Sequence, residues 1–84
     1  MKLVYYFTAD WCNPCKKTRP IVEEINRNQN NIKFHFIDAD SEKEMLLNFN
    51  VKSIPTFIFI ENGKEIKRLS GGQTKESLIE FINE

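Results

Sequence analysis

Apolar positions along the chain change period several times, and each change marks an element. Residues 2–8, KLVYYFT, form a continuous apolar and aromatic run of strand length, which suits a strand covered on both faces. From Pro14 to about Asn28 the spacing becomes helical: Ile21, Val22 and Ile25 share a stripe, while Lys16, Lys17, Glu23, Glu24 and Arg27 are left for solvent. Pro14 suits the first helical turn, where its missing amide hydrogen costs nothing. Pro20 lies inside the stripe and is expected to kink the helix without ending it, because the apolar spacing continues beyond it. Ile32–Asp38 reads as a second strand, and Ser41 followed by Glu44 as a capping box opening a short helix through Phe49. Thr56–Glu61 and Glu65–Leu69 are two further strands joined by Glu61-Asn62-Gly63-Lys64, where Asn-Gly signals a tight hairpin. Leu78, Ile79 and Ile82 mark a final helix.

The order βαβαββα predicts an α/β fold, a mixed four-stranded sheet flanked by three helices. The crossover helices join parallel strands, and the hairpin supplies the antiparallel part. Without linker, repeat or low-complexity stretch, residues 1–84 are expected to form one domain, and a chain this short must be economical with its core.

Composition narrows the function classes. Twelve basic residues balance twelve acidic ones, so no net field draws the chain to nucleic acid or anionic lipid. The aromatics sit in strand-like runs and not between basic residues, unlike a single-strand nucleic-acid surface. No apolar run reaches the length of a membrane span. The opening MKLVYYF enters a strand pattern at once and does not read as a signal peptide, so the expected location is cytoplasmic. No glycine-rich phosphate loop or other cofactor motif is present, and no cofactor is expected.

The chemistry concentrates in Trp11-Cys12-Asn13-Pro14-Cys15, which holds both cysteines of the chain. Two thiols at this spacing can clip the fold, hold a metal, or cycle between dithiol and disulfide. A structural zinc site takes four ligands, and the single histidine, His35, lies in a strand pattern away from the motif. A disulfide closing so short a loop constrains the unfolded chain little. At a strand-to-helix junction, in contrast, Cys12 meets the unsatisfied amides and dipole of the helix start, which favour a thiolate. Cys15 follows on the same face within bonding reach. Redox exchange is therefore the favoured use, with Cys12 attacking a partner's disulfide and Cys15 resolving the mixed disulfide.

ADWCNPCKKTRP, SIPTFIFIENGKEI and LSGG, in this order and spacing, resemble the thioredoxin family over essentially the whole chain. The resemblance implies a trimmed member, starting at the central strand where the family usually carries an additional strand and helix before it. It also implies that Cys12 is the exposed nucleophile, Cys15 the buried resolving thiol, and Trp11 a neighbour that shapes the partner surface. Asn13 and Pro14 then tune the loop between the sulfurs. Pro55 resembles the family's cis-proline facing the cysteines, Ile54 offers its backbone to an extended partner segment, and Gly71 resembles the glycine that lets a substrate chain approach. From its own sequence context Gly71-Gly72 reads equally as a turn before the last helix. The partners so implied are disulfide-containing proteins and an upstream donor, of the thioredoxin-reductase type or linked to glutathione, acting on a monomer.

Two departures from the family pattern stand out. Asn13 takes the place of the usual glycine. Five residues before Trp11, where the family usually buries an aspartate beneath the resolving cysteine, the chain has Tyr6, and Phe36 replaces the usual lysine partner. A tyrosine hydroxyl does not serve as a base near neutrality. Asp10 is closer in sequence but is expected at the surface. The missing carboxylate also resembles glutaredoxins, although those usually place proline before tyrosine between the cysteines, so a glutathione-dependent exchange is the alternative reading. A non-enzymatic peptide-binding module is a third, disfavoured by the presence of both cysteines. Phe34, Phe36, Phe57 and Phe59, at strand spacing, are expected in the core, and Lys16, Lys17 and Arg19 form a basic patch beside the motif.

Overall fold

A computed structural model describes residues 1–83; Glu84, the last residue of the expected domain, lies outside it. The elements are β1 (Lys2–Thr8), α1 (Asn13–Asn28), β2 (Lys33–Asp38), α2 (Lys43–Asn48), β3 (Thr56–Glu61), β4 (Lys64–Ser70) and α3 (Lys75–Asn83). They match the sequence reading in order and type. The four strands lie in the order β2-β1-β3-β4, with β1 parallel to β2 and antiparallel to β3, and β3 antiparallel to β4. The fully apolar run of β1 thus lies inside the sheet, as its composition requires.

Alternation along β1 assigns each residue to one of two cores. Val4 and Tyr6 face α1 and α3, packing with Val22, Ile25, Phe57 and Leu78. Phe7 faces the other way with Ile37, Ile58 and Ile60, where Met45, Leu46 and Phe49 of the α2 region cover them. The hairpin between β3 and β4 turns at Asn62 (φ 53°) and Gly63 (φ 83°), two left-handed residues in succession, as its Asn-Gly sequence demands. Helix α1 continues through Pro20.

Two sequence expectations fail locally. Ser41 and Glu44 do not form a capping box: α2 starts later, with Glu42 at its N-cap and no side-chain cap. Asp38 organises that turn instead, its carboxylate accepting from the Asp40 amide at 2.8 Å and its carbonyl from the Glu42 amide at 2.9 Å. Phe36 is not in the core but 39% exposed. It sits on the edge strand β2, where its ring meets Tyr6 edge-on and the Arg19 guanidinium carbon stands 6.0 Å from its centre. The other three phenylalanines are buried, as is Phe81, which the final helix contributes in addition to Leu78 and Ile82; Ile79 is turned outward.

Candidate active site

The turn after β1 delivers Cys12 to the N-cap of α1. The Cys12 amide donates to the Ala9 carbonyl at 3.2 Å, closing the turn, and its own carbonyl accepts the first helical bond from Lys16 at 3.1 Å. Cys12 keeps an extended backbone (φ −90°, ψ 112°), and its Sγ accepts the Cys15 amide at 3.2 Å. A sulfur thus occupies the place that a serine or aspartate oxygen takes at ordinary helix starts. Cys12 and Cys15 are joined in a disulfide with Cα atoms 5.2 Å apart. Both sulfur residues are buried, Cys12 at 4% exposure and Cys15 at 1%, so the exposure expected of Cys12 is not seen in the disulfide form, where Ala9, Ala39, Leu46 and Ile54 pack around the pair.

Apolar groups surround the pair. Ala9 and Ala39 complete the buried cluster, with Leu46 and Ile54 packed against it. The Ile54–Pro55 bond is cis. Pro55 is fully buried, and its carbonyl accepts the Gly71 amide at 2.8 Å. Gly71 has φ +88°, and an added Cβ there would meet nothing within 4 Å, so its requirement is conformational. At Gly72 an added Cβ would lie 3.7 Å from the Pro14 side chain, an ordinary van der Waals contact.

Trp11 is 63% exposed and is held by its indole N–H, which donates to the Asp40 carboxylate at 3.0 and 3.2 Å. With Ala39, Lys52 and Ile54 it lines a groove of about 270 Å³ on one side of the motif. Asn13 and Pro14, with Lys17, Thr18 and Gly72, line another of about 350 Å³. A larger depression of about 560 Å³ over the start of α2 includes none of the motif residues.

Beneath the disulfide, Tyr6 is fully buried, and its hydroxyl donates to the Cys15 carbonyl at 3.0 Å. Its ring stacks on Phe57 at 4.6 Å and meets Phe36 edge-on at 5.2 Å, the residues flanking it in β3 and β2. Burial pushes the phenol above the usual tyrosine range, against smaller opposing effects of Thr8 and the Arg19 charge. Tyr6 is therefore neutral throughout the range in which thiols exchange. Thr8, two residues on and on the same face of β1, brings a buried hydroxyl near the phenol without the geometry of a hydrogen bond. Asp10 is at the surface as expected, 3.7 Å from Arg19. His35 is exposed on β2 and plays no part in this cluster.

A thioredoxin family model matches residues 1–84. The chain belongs to the thioredoxin family. It is 36% identical over 74 residues to thioredoxin H-type 1 of Nicotiana tabacum, covering 88% of this chain and 59% of that one. It is 35% identical over 78 residues to a thioredoxin of Chlamydia caviae, covering 93% and 76% respectively. Among solved structures, Fasciola hepatica thioredoxin superposes with a TM-score of 0.90 at 36% identity, covering 96% of this chain and 77% of that one. The chain spans between 17% and 76% of the length of curated relatives at this level of similarity. Among the described residues, no helix is long and apolar enough to cross a membrane.

Proposed function

We propose that this thioredoxin-family chain reduces protein disulfides by dithiol exchange, with Cys12 as nucleophile and Cys15 as resolving thiol. The observation that carries the reading is the Cys12 sulfur at the N-cap of α1, accepting the Cys15 amide at 3.2 Å. In the reduced protein that amide and the helix dipole favour the Cys12 thiolate, and the thiolate is the attacking form. Attack on a partner disulfide links Cys12 to one partner sulfur and releases the other with the electron pair. Cys15 then attacks Cys12, restoring the internal disulfide and releasing the second partner thiol. Two electrons pass to the partner, and both thiol protons end on its sulfurs.

The grooves on either side of the motif support binding of an extended substrate segment, with Trp11 and Ile54 on one side and Asn13, Pro14 and Gly72 on the other. The half-exposed Ile54 backbone offers strand-like pairing to it, as in β-augmentation. The thioredoxin names of the relatives support dithiol exchange. The sequence reading supports a cytoplasmic setting, in which a disulfide is more often catalytic than structural.

Insulin-type disulfide reduction with single cysteine variants tests the assignment. Cys12→Ser should abolish turnover, and Cys15→Ser should accumulate partners as mixed disulfides through Cys12. Equal capture by the two variants would overturn the order of attack. Turnover supported by glutathione alone, and not by a thioredoxin-type donor, would favour the glutaredoxin-like alternative.

A further inference from the structure

The second half of the exchange needs Cys15 to lose its proton, and the groups placed around it contain no buried carboxylate. Tyr6 beneath it is neutral and already donates its hydrogen to the Cys15 carbonyl. The charged residues nearby are Asp10 in the turn after β1, Lys16 and Arg19 on α1, Asp38 at the end of β2 and Asp40 past it, Glu42 and Lys43 before Leu46, and Lys52 before Ile54. Asp40 holds the Trp11 indole and Asp38 closes its own turn. Lys16, Glu42, Lys43 and Lys52 are exposed.

Arg19 is different. It lies four residues after Cys15 on α1, which places the two on the same helical face with Cβ atoms about 6 Å apart. Its guanidinium carbon stands 6.0 Å from the centre of the Phe36 ring, and that ring meets Tyr6. Its Nε is buried without a hydrogen-bond partner, one of only two such side-chain atoms among the described residues; the other is the Thr8 hydroxyl beside Tyr6. The outer end of the side chain reaches solvent and the Asp10 carboxylate. The Arg19 side chain is thus 41% exposed, with its Nε buried and its guanidinium beside an aromatic ring.

Building on the exchange reading above, we propose that Arg19 is a positioning residue for the resolving step, its charge favouring the Cys15 thiolate that attacks Cys12. In that step Cys15 Sγ⁻ bonds to Cys12 Sγ as the bond between Cys12 and the partner sulfur breaks. The partner sulfur leaves with the electron pair and takes up the proton that Cys15 released. The cation acts by stabilising the charged form of the thiol and takes no proton itself. Asp10, at the solvent end of Arg19, opposes this effect.

A single-turnover reaction of the reduced protein with dithionitrobenzoate separates the two halves. The first burst of coloured thiolate reports attack by Cys12, and the second reports resolution by Cys15. Arg19→Gln should move the pH midpoint of the second phase upward by about half a unit to one unit, with the first phase little changed. Below that midpoint the second phase should slow about three- to tenfold. Arg19→Lys should restore most of the shift, and Asp10→Asn should move the midpoint down. An unchanged second-phase profile in Arg19→Gln, or an Arg19→Lys profile equal to that of Arg19→Gln, would overturn the proposal. Should Arg19→Gln fail to fold, an Asp10→Asn midpoint that stays in place or rises would overturn it equally. Loss of the first phase from the parent protein would instead count against the exchange reading itself.

Discussion

The Tyr6 hydroxyl donates to the main-chain carbonyl of Cys15 at 3.0 Å, across a contact that is entirely buried. The bond ties the central strand to the first turn of α1, directly behind the reactive loop. Its donor is neutral, and its acceptor is backbone and not sulfur. The tyrosine therefore fixes where Cys15 sits without exchanging a proton with it.

Tyr6→Phe removes that bond and keeps the ring, which stacks on Phe57 and meets Phe36 edge-on. The Cys15 carbonyl still accepts within the helix, so the stability loss should be about 0.5–1.5 kcal/mol by denaturant unfolding. The pH profile of disulfide reduction should keep its shape. A large loss of rate at unchanged stability would show that the hydroxyl handles protons.

Tyr6→Asp places a carboxyl where burial raises its pKa. The neutral acid is tolerated at low pH. Because the folded pKa lies above the unfolded value, the cost should grow as pH rises past about 4 and level off above the folded pKa. Loss of the ring adds a cavity, so unfolding near neutrality should show a loss of at least about 3 kcal/mol. A new ionisation should enter the exchange profile of this variant and be absent from Tyr6→Phe.

Away from the site, Arg68 grips both carboxylate oxygens of Glu65 at 2.6 Å and donates to the Phe49 carbonyl at 2.8 Å, pinning β4 to the end of α2. The Arg68 hydrogen bonds hold the Glu65 carboxyl below the usual carboxylate range. A depressed carboxylate pKa stabilises the fold above the unfolded value, and that stability is lost as pH falls through the folded one. Glu65→Gln should therefore cost about 0.5–1 kcal/mol at neutral pH. The difference from the parent should close in acid when thermal melts are compared across pH.

The elements were readable because each carries its own period or turn chemistry. The unbroken apolar run of β1 marked the central strand, and Asn62-Gly63 marked the hairpin. The Trp11–Cys15 motif was legible in its own residues, whereas Pro55 and Gly71 were joined to it only by the resemblance to the thioredoxin family. The capping box at Ser41 was misleading because Asp38, three residues earlier, competes for the same turn and closes it first. Phe36 was misplaced because alternation assigns a face but does not tell an edge strand from an inner one. Arg19 looked like part of a solvated basic patch; its contact with Phe36 depends on that ring lying at the sheet edge, a relation between two elements. Gly72 against Pro14 and Asp40 against Trp11 are likewise contacts between distant segments, for which the local sequence holds no signal.

The account turns on the Cys12 sulfur being the activated one, and thiolate absorbance of the reduced protein as a function of pH measures this directly. Cys12 should ionise first, below the ordinary cysteine value of about 8.5, because the helix start and the Cys15 amide favour its anion. That first step should persist in Cys15→Ser and vanish in Cys12→Ser. A first ionisation at or above the ordinary value, or one that survives in Cys12→Ser, would contradict the account.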